Sequence, residues 1–318
     1  MPGERIGLKD VPYYLRANDF QRHILNIDSR FRVNPDITSG SNFFFMLPAT
    51  IRNVLRLRLT SIEFPNNYYQ FTLKRMNVCF RVIYKVGETA MGVPICIPDG
   101  NYTASEMETT LNDIFTAVPE INWLSVKFTP ETGHFEFTGN QSFAIDPTFE
   151  SKERLFDYGL GYYLGFKRSL RRARSEGSGT DTVWKLESDC TANFAGDSYL
   201  FLRINDYACV RHSFNGNAMN VFAKIIINQA KNDMTFDDYA GDHLKEVVLT
   251  GPEDLKRLQI QVLDAYGEIV DLGCVNFSFS LEILEVMNVN LFNAFRNSLS
   301  MPYLLTDPNR SGGPPALG

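Results

Sequence analysis

The sequence predicts a mainly β protein: a jelly-roll-like β-sandwich with one or two inserted helices and extended arms at both ends. Three observations predict it. Stretches of strict two-residue alternation recur along the chain. The clearest is 275–283, where Val275, Phe277, Phe279, Leu281 and Ile283 alternate with Asn276, Ser278, Ser280 and Glu282. Successive strand side chains point to opposite faces, so this pattern describes a half-buried strand. The aromatic residues are 25 Phe and 14 Tyr against 2 Trp, rings that suit a pleated surface. Strong helical periodicity occurs in one stretch, so helices are inserts among strands joined by turns.

In chain order, residues 1–37 read as an N-terminal arm with aromatic anchors at Tyr13 and Tyr14. Within it 24–27 is a short edge strand, broken at Asn34-Pro35-Asp36. A run at 43–47 stops at Pro48. In the next strand Leu55, Leu57 and Leu59 share one face, and Arg56 and Arg58 take the other. Residues 78–86 form a further strand. Thr103 and Glu106 have the spacing of a capping box, and Met107, Leu111, Ile114, Phe115 and Val118 lie on one helical stripe. Pro119 ends that helix. Residues 123–129 and 134–138 flank Pro130-Glu131-Thr132-Gly133 as a hairpin. A short helix and turn follow at 154–166.

The run 167–180, KRSLRRARSEGSGT, reads as a mobile basic loop. Strands resume at 199–204, 221–228, 258–263 and 275–283, with a turn at Asp264-Ala-Tyr-Gly267 and a weak helix or loop at 234–250. The reading favours one sandwich over 38–288, with the basic loop inside it. A division into two domains at that loop stays open. Residues 289–318 form a C-terminal arm with Tyr303 and Leu304 as anchors.

A formal net charge of −6 argues against a general nucleic-acid binder. Cys79, Cys96, Cys190, Cys209 and Cys274 are scattered and lack a CxxC pair. The expectation is buried free thiols in a reducing compartment rather than a disulfide framework or zinc site. No run of about 18 apolar residues is present. His23, His134, His212 and His243 lie far apart, and no nucleophile, phosphate-loop or dinucleotide motif appears. Asp233, Asp237, Asp238 and Asp242 do not have EF-hand spacing. No catalytic residue, metal or cofactor is therefore expected.

More specific is the succession Asn26-Ile-Asp-Ser-Arg-Phe-Arg32, Asn42-Phe-Phe-Phe-Met-Leu-Pro48, Ile51-Arg-Asn-Val54 and Leu59-Thr-Ser-Ile-Glu-Phe-Pro-Asn-Asn-Tyr68. Gly100-Asn-Tyr-Thr103 and the stretch 258–283, with Asp264-Ala-Tyr-Gly-Glu268 in its turn, add to it. In order and spacing these resemble the minor capsid proteins of large nucleocytoplasmic DNA viruses, especially those of giant algal viruses. The resemblance covers 24–118 and, less fully, 255–285. It implies a structural protein on the inner face of a virion shell, made in the host cytoplasm, that links neighbouring capsomers. The implied partners are the major capsid protein and other minor capsid proteins, with the internal membrane surface as a further candidate and no specific nucleic acid.

The candidate interaction residues follow. Asp28 and Arg30 pair inside the fold or across to a neighbour, since an arginine fork grips a carboxylate bidentately. Lys167, Arg168, Arg171, Arg172 and Arg174 meet an acidic patch on a neighbour, meet anionic lipid, or form a solvated loop. Tyr13, Tyr14, Tyr303 and Leu304 anchor the arms. The alternative function is a carbohydrate- or ligand-binding β-sandwich module with Tyr68, Tyr69, Tyr162 and Tyr163 as platforms. An enzyme on a β scaffold ranks last.

Overall fold

Alternating strands leave one apolar face each, and that face must be covered by another layer. The structure, a computed structural model, describes residues 19–154, 156–177, 182–214, 216–238, 245–290 and 292–293. The first strands are β1 (Phe20–Asp28) and β2 (Asn42–Pro65). Then come β3 (Cys79–Val86), β4 (Thr89–Cys96), helix α1 (Ala104–Ala117), β5 (Leu124–Thr129), β6 (His134–Gly139) and β7 (Phe143–Asp146). Helix α2 (Leu160–Tyr163), β8 (Arg171–Arg172), β9 (Arg174–Glu176) and β10 (Val183–Glu187) follow. The last seven strands are β11 (Tyr199–Ile204), β12 (Val210–Phe214), β13 (Asn217–Val221), β14 (Ala223–Ile226), β15 (Met234–Asp237), β16 (Glu246–Leu263) and β17 (Ser278–Val286). The fold is mainly β, as expected, with antiparallel sheets and the helices as inserts.

The contacts divide the chain into two compact units. The first comprises Met1–Pro65, Leu200–Ile225 and Met234–Gly318, and the second Asn66–Tyr199 and Ile226–Asp233. The strands assigned to one sandwich over 38–288 are thus shared between two units. The chain passes between the units at Pro65, Tyr199, Ile225 and Asp233, and the basic run lies within the second unit.

The first unit is built on a seven-stranded sheet in the order β1-β17-β2-β16-β11-β14, with β15 also on β2; β12 and β13 form a separate hairpin. β1 is the expected edge strand and runs from Phe20, so the inner part of the proposed arm belongs to the sheet. Pro48 does not end its strand. It falls where β16 skips from Leu255–Ile51 to Arg257–Met46, so its missing N–H costs no ladder bond. Phe277, Phe279, Leu281 and Ile283 are buried as the alternation demands. Phe277 packs against Phe64 at 5.4 Å between ring centroids and against Phe43 at 6.2 Å. Arg56, expected at a solvent face, is buried. Its Nη2 lies 2.8 Å from Glu282, and Arg22 approaches the same carboxylate at 3.4 Å. Pairing of this kind is what allows a charge to be covered.

The second unit has two four-stranded sheets, β4-β3-β7-β8 and β5-β6-β10-β9. Their shared core includes Phe80, Val82, Phe135, Phe137 and Ile145 together with Met107, Leu111 and Phe115 of α1. The capping box forms as predicted: Glu106 N–H donates to the Thr103 hydroxyl and Thr103 N–H donates to the Glu106 carboxylate. The basic run is not a plain loop, because β8 pairs β7 and β9 pairs β10. Ala173 between them is buried, and its N–H donates to Phe143. Within 234–250, residues 234–237 and 246–250 are strand where a helix or loop was expected. Gly165, at φ +88°, is demanded by close approach: a Cβ there would lie 2.1 Å from the Cys190 carbonyl oxygen.

The cysteine expectation is corrected. Cys79 and Cys96 stand directly opposite in β3 and β4 and form a disulfide. Cys190, Cys209 and Cys274 are free but exposed. No local motif announces a bond between residues that only hairpin register brings together. With 17 residues of separation, reduction is expected to cost about 3 kcal/mol. Urea unfolding with and without reductant measures this, and a Cys79→Ser/Cys96→Ser variant should abolish the difference.

Candidate interaction surface

The segment Asp28-Ser29-Arg30-Phe31-Arg32 folds as a clamp. Asp28 ends β1 and caps a single 3-10 turn, its carboxylate accepting the Arg30 N–H at 2.9 Å. Arg30 Nε donates to the same carboxylate at 2.8 Å. Hydrogen bonding from the Arg30 side chain holds the Asp28 carboxyl below its usual range. Of the two roles foreseen for this pair, the local one is seen. The fully buried Ser29 hydroxyl donates to Asn276 and accepts the Phe277 N–H, both at 3.0 Å.

Arg32 completes the clamp. Its guanidinium donates to the Ser29, Thr38 and Pro35 carbonyls and to the Asn276 side chain, at 2.7 to 3.1 Å. The loop closes on Gly40, where a Cβ would sit 2.7 Å from the Val275 carbonyl oxygen. This loop holds Phe31 73% and Ile37 82% exposed. Sequence reasoning singled out the charged pair and missed the two apolar residues; their position beside a Ser-Arg-Phe-Arg run was the available signal.

The basic residues divide into two groups. Arg171 Nε donates to Asp189 at 2.6 Å, and Arg168 donates to the Arg154 carbonyl at 2.7 Å. Both are bound within their unit, while Lys167, Arg172 and Arg174 project as exposed residues. Tyr13, Tyr14, Tyr303 and Leu304 lie outside the described residues, as do Asp242 and His243.

The second unit also holds a covered polar network. Arg75 donates to Asp197 at 2.7 Å, and the Tyr68 hydroxyl donates to the same carboxylate at 3.4 Å. The Tyr163 hydroxyl donates to Asp157 at 2.5 Å, and Arg154 donates to the other Asp157 oxygen at 3.0 Å. Lys231 Nζ lies 4.3 Å from the Tyr68 ring centre and donates to the Tyr68 carbonyl. Burial raises the Asp157 and Tyr163 pKa values and lowers that of Lys231 to about 8. Tyr68 and Tyr163 are thus buried members of this network, and Tyr162 packs against Tyr158 and Tyr163. Of the four proposed platforms only Tyr69 is well exposed.

The described histidines serve separate local contacts: His23 with Glu285, His134 with the Ser188 carbonyl and His212 with the Ala265 carbonyl. Among the described residues, one group of three potential metal ligands converges, Cys79, Cys96 and Glu150. Its two sulfurs are bonded to each other.

No protein-family model matches the chain, and no curated protein matches it in sequence. Among solved structures, the crystal structure of the mavirus penton protein is similar at a TM-score of 0.44 and 10% identity, over 83% of this chain and 99% of that one.

Two outcomes follow from the geometry. Arg32→Ala should lower stability by about 1–2 kcal/mol, because three part-buried acceptors lose a charged donor; urea midpoints test it. For Lys231, a folded pKa near 8 against an ordinary 10.5 means the unfolded chain binds more protons between those values. Stability contributed at this site therefore rises with pH across that window. Wild type should gain on Lys231→Met between pH 8 and 9.5 in paired urea titrations, the other lysines being common to both.

Proposed function

We propose that the chain is a structural subunit of an icosahedral virus shell, linking neighbouring capsomers through a rigid β framework. The observation that carries this reading is the clamped loop holding Phe31 and Ile37 in solvent. A single exposed apolar side chain is ordinary. Two on one loop, fixed by a four-bond arginine, form a pre-ordered contact that loses little entropy when a neighbour covers it. The segments that resemble minor capsid proteins support it too. Those at 26–32, 42–48, 51–54 and 258–283 and most of 59–68 lie in β1, β2, β16, β17 and their connections in the first unit, while 100–103 lies in the second.

Lys167, Arg172 and Arg174 offer a second contact, fitted to an acidic patch on a neighbour. Such contacts are individually weak and sum over a repeating shell. The terminal arms enter the proposal as further links.

The test compares the full chain with Phe31→Ser/Ile37→Ser, alone and with purified major capsid protein, by light scattering and sedimentation. The thermal midpoint should shift by no more than about 2 °C, since neither side chain is buried. Self-association or capsid-protein binding should be lost. A wild-type chain that stays monomeric and binds no capsid protein overturns the reading.

A further inference from the structure

The first unit departs most from regular sheet along β16. β16 loses register with β2 three times between Val248 and Arg257. Nearby, the chain turns out of β11 through Asn205, a non-glycine residue at φ +44°. That turn is fixed, because Asn205 N–H donates to the Gln259 carbonyl at 2.9 Å and Gln259 N–H donates to the Asn205 side chain at 2.7 Å. Bulges and left-handed residues cost stability and re-aim side chains, and they gather beside binding sites.

Two grooves meet at this turn and share Asn205 and Asp206. One, of about 690 Å³, presents Phe44, Tyr207, Glu253 and Arg257; the other, of about 500 Å³, presents Phe214, Asn220 and Tyr266. Arg257 lies over the Phe44 ring at 4.4 Å, and the Tyr207 hydroxyl donates to Glu253 at 3.4 Å. Tyr266 meets Phe214 edge-on at 6.4 Å. Asp206, central to both grooves, is exposed.

We propose that these paired grooves bind a short neutral saccharide, one or two rings on either side of Asp206. A sugar ring offers an apolar C–H face and a rim of hydroxyls that both donate and accept. Half-buried rings beside carboxylates, an amide and a guanidinium match both features. The carboxylates of Asp206 and Glu253 are matched by the guanidiniums of Arg203 and Arg257, so the grooves carry no net charge to draw an anion, and the open shape disfavours a lipid. Strand addition by a peptide needs a regular free edge; β11 pairs β16 only from Ile260 to Leu263, and along the groove β16 is broken by three register shifts that blunt its edge.

The test places the full chain on an array of neutral oligosaccharides and titrates the best ligand by NMR. Asp206→Ala and Arg257→Ala serve as variants, with circular dichroism confirming that both remain folded. Binding that falls at least tenfold in both variants supports the assignment. Absence of any bound oligosaccharide, binding unchanged in the variants, or preference of the grooves for a peptide or sulfated polymer overturns it. The outcome is separable from the capsid reading, because Phe31 and Ile37 lie outside both grooves.

Discussion

The first unit depends on one constraint: the two open edges of β2 must be satisfied along 24 residues. A straight strand of that length would run about 80 Å, with unpaired N–H and C=O groups on both sides. β17 covers one edge from Val54 to Glu63, and β16 and β15 cover the other. Twist accumulates along such a ladder, and the breaks in register at Ser280–Leu281 and Leu284–Glu285 in β17 relieve it. The left-handed Asn53 lies beside the second break, with its N–H held by Asp254. Arg56 and Glu282 can be buried because this ladder brings their strands side by side, so the polar face of the sheet carries its own compensation.

The clamp at 28–41 shows how motif residues become architecture. Asp28, Ser29 and Arg32 spend their hydrogen-bonding groups on the chain itself. What they leave for solvent is Phe31 and Ile37. The residue types that most resemble a binding motif are therefore scaffold, and the side chains they hold in solvent are apolar. The second unit follows the same logic. Arg168 and Arg171 are held by internal acceptors, and Arg172 and Arg174 project from the short strands those contacts help position.

Much of the fold was legible because local signals agreed with tertiary need. Phe277 to Ile283 alternate because one face of β17 is core, and Thr103 with Glu106 closes its box within one turn of chain. Illegible features were set by partners distant in sequence. Pro48 reads as a strand breaker until its place opposite a gap in β16 is known. Arg56 reads as solvated until Glu282 arrives beside it. The Cys79–Cys96 bond depends on hairpin register, and the basic stretch becomes strand only because β7 and β10 offer edges to it. The grooves at Asp206 join residues from Phe44 to Tyr266, and no spacing rule links them.

The pairing of β1 with β17, Phe20 opposite Val286, bears on how the molecule is made. During synthesis β2 emerges early, while its partners β16 and β17 follow only after the whole of 66–199. The second unit holds its own core and can close in the interval. β2 cannot, and it waits as a long, two-edged strand, the kind of segment that pairs with whatever strand arrives first. In a crowded translation site that partner is another copy's β16 or β17. Exchange of β16 or β17 between two copies is thus the misassembly to which this strand order exposes the chain.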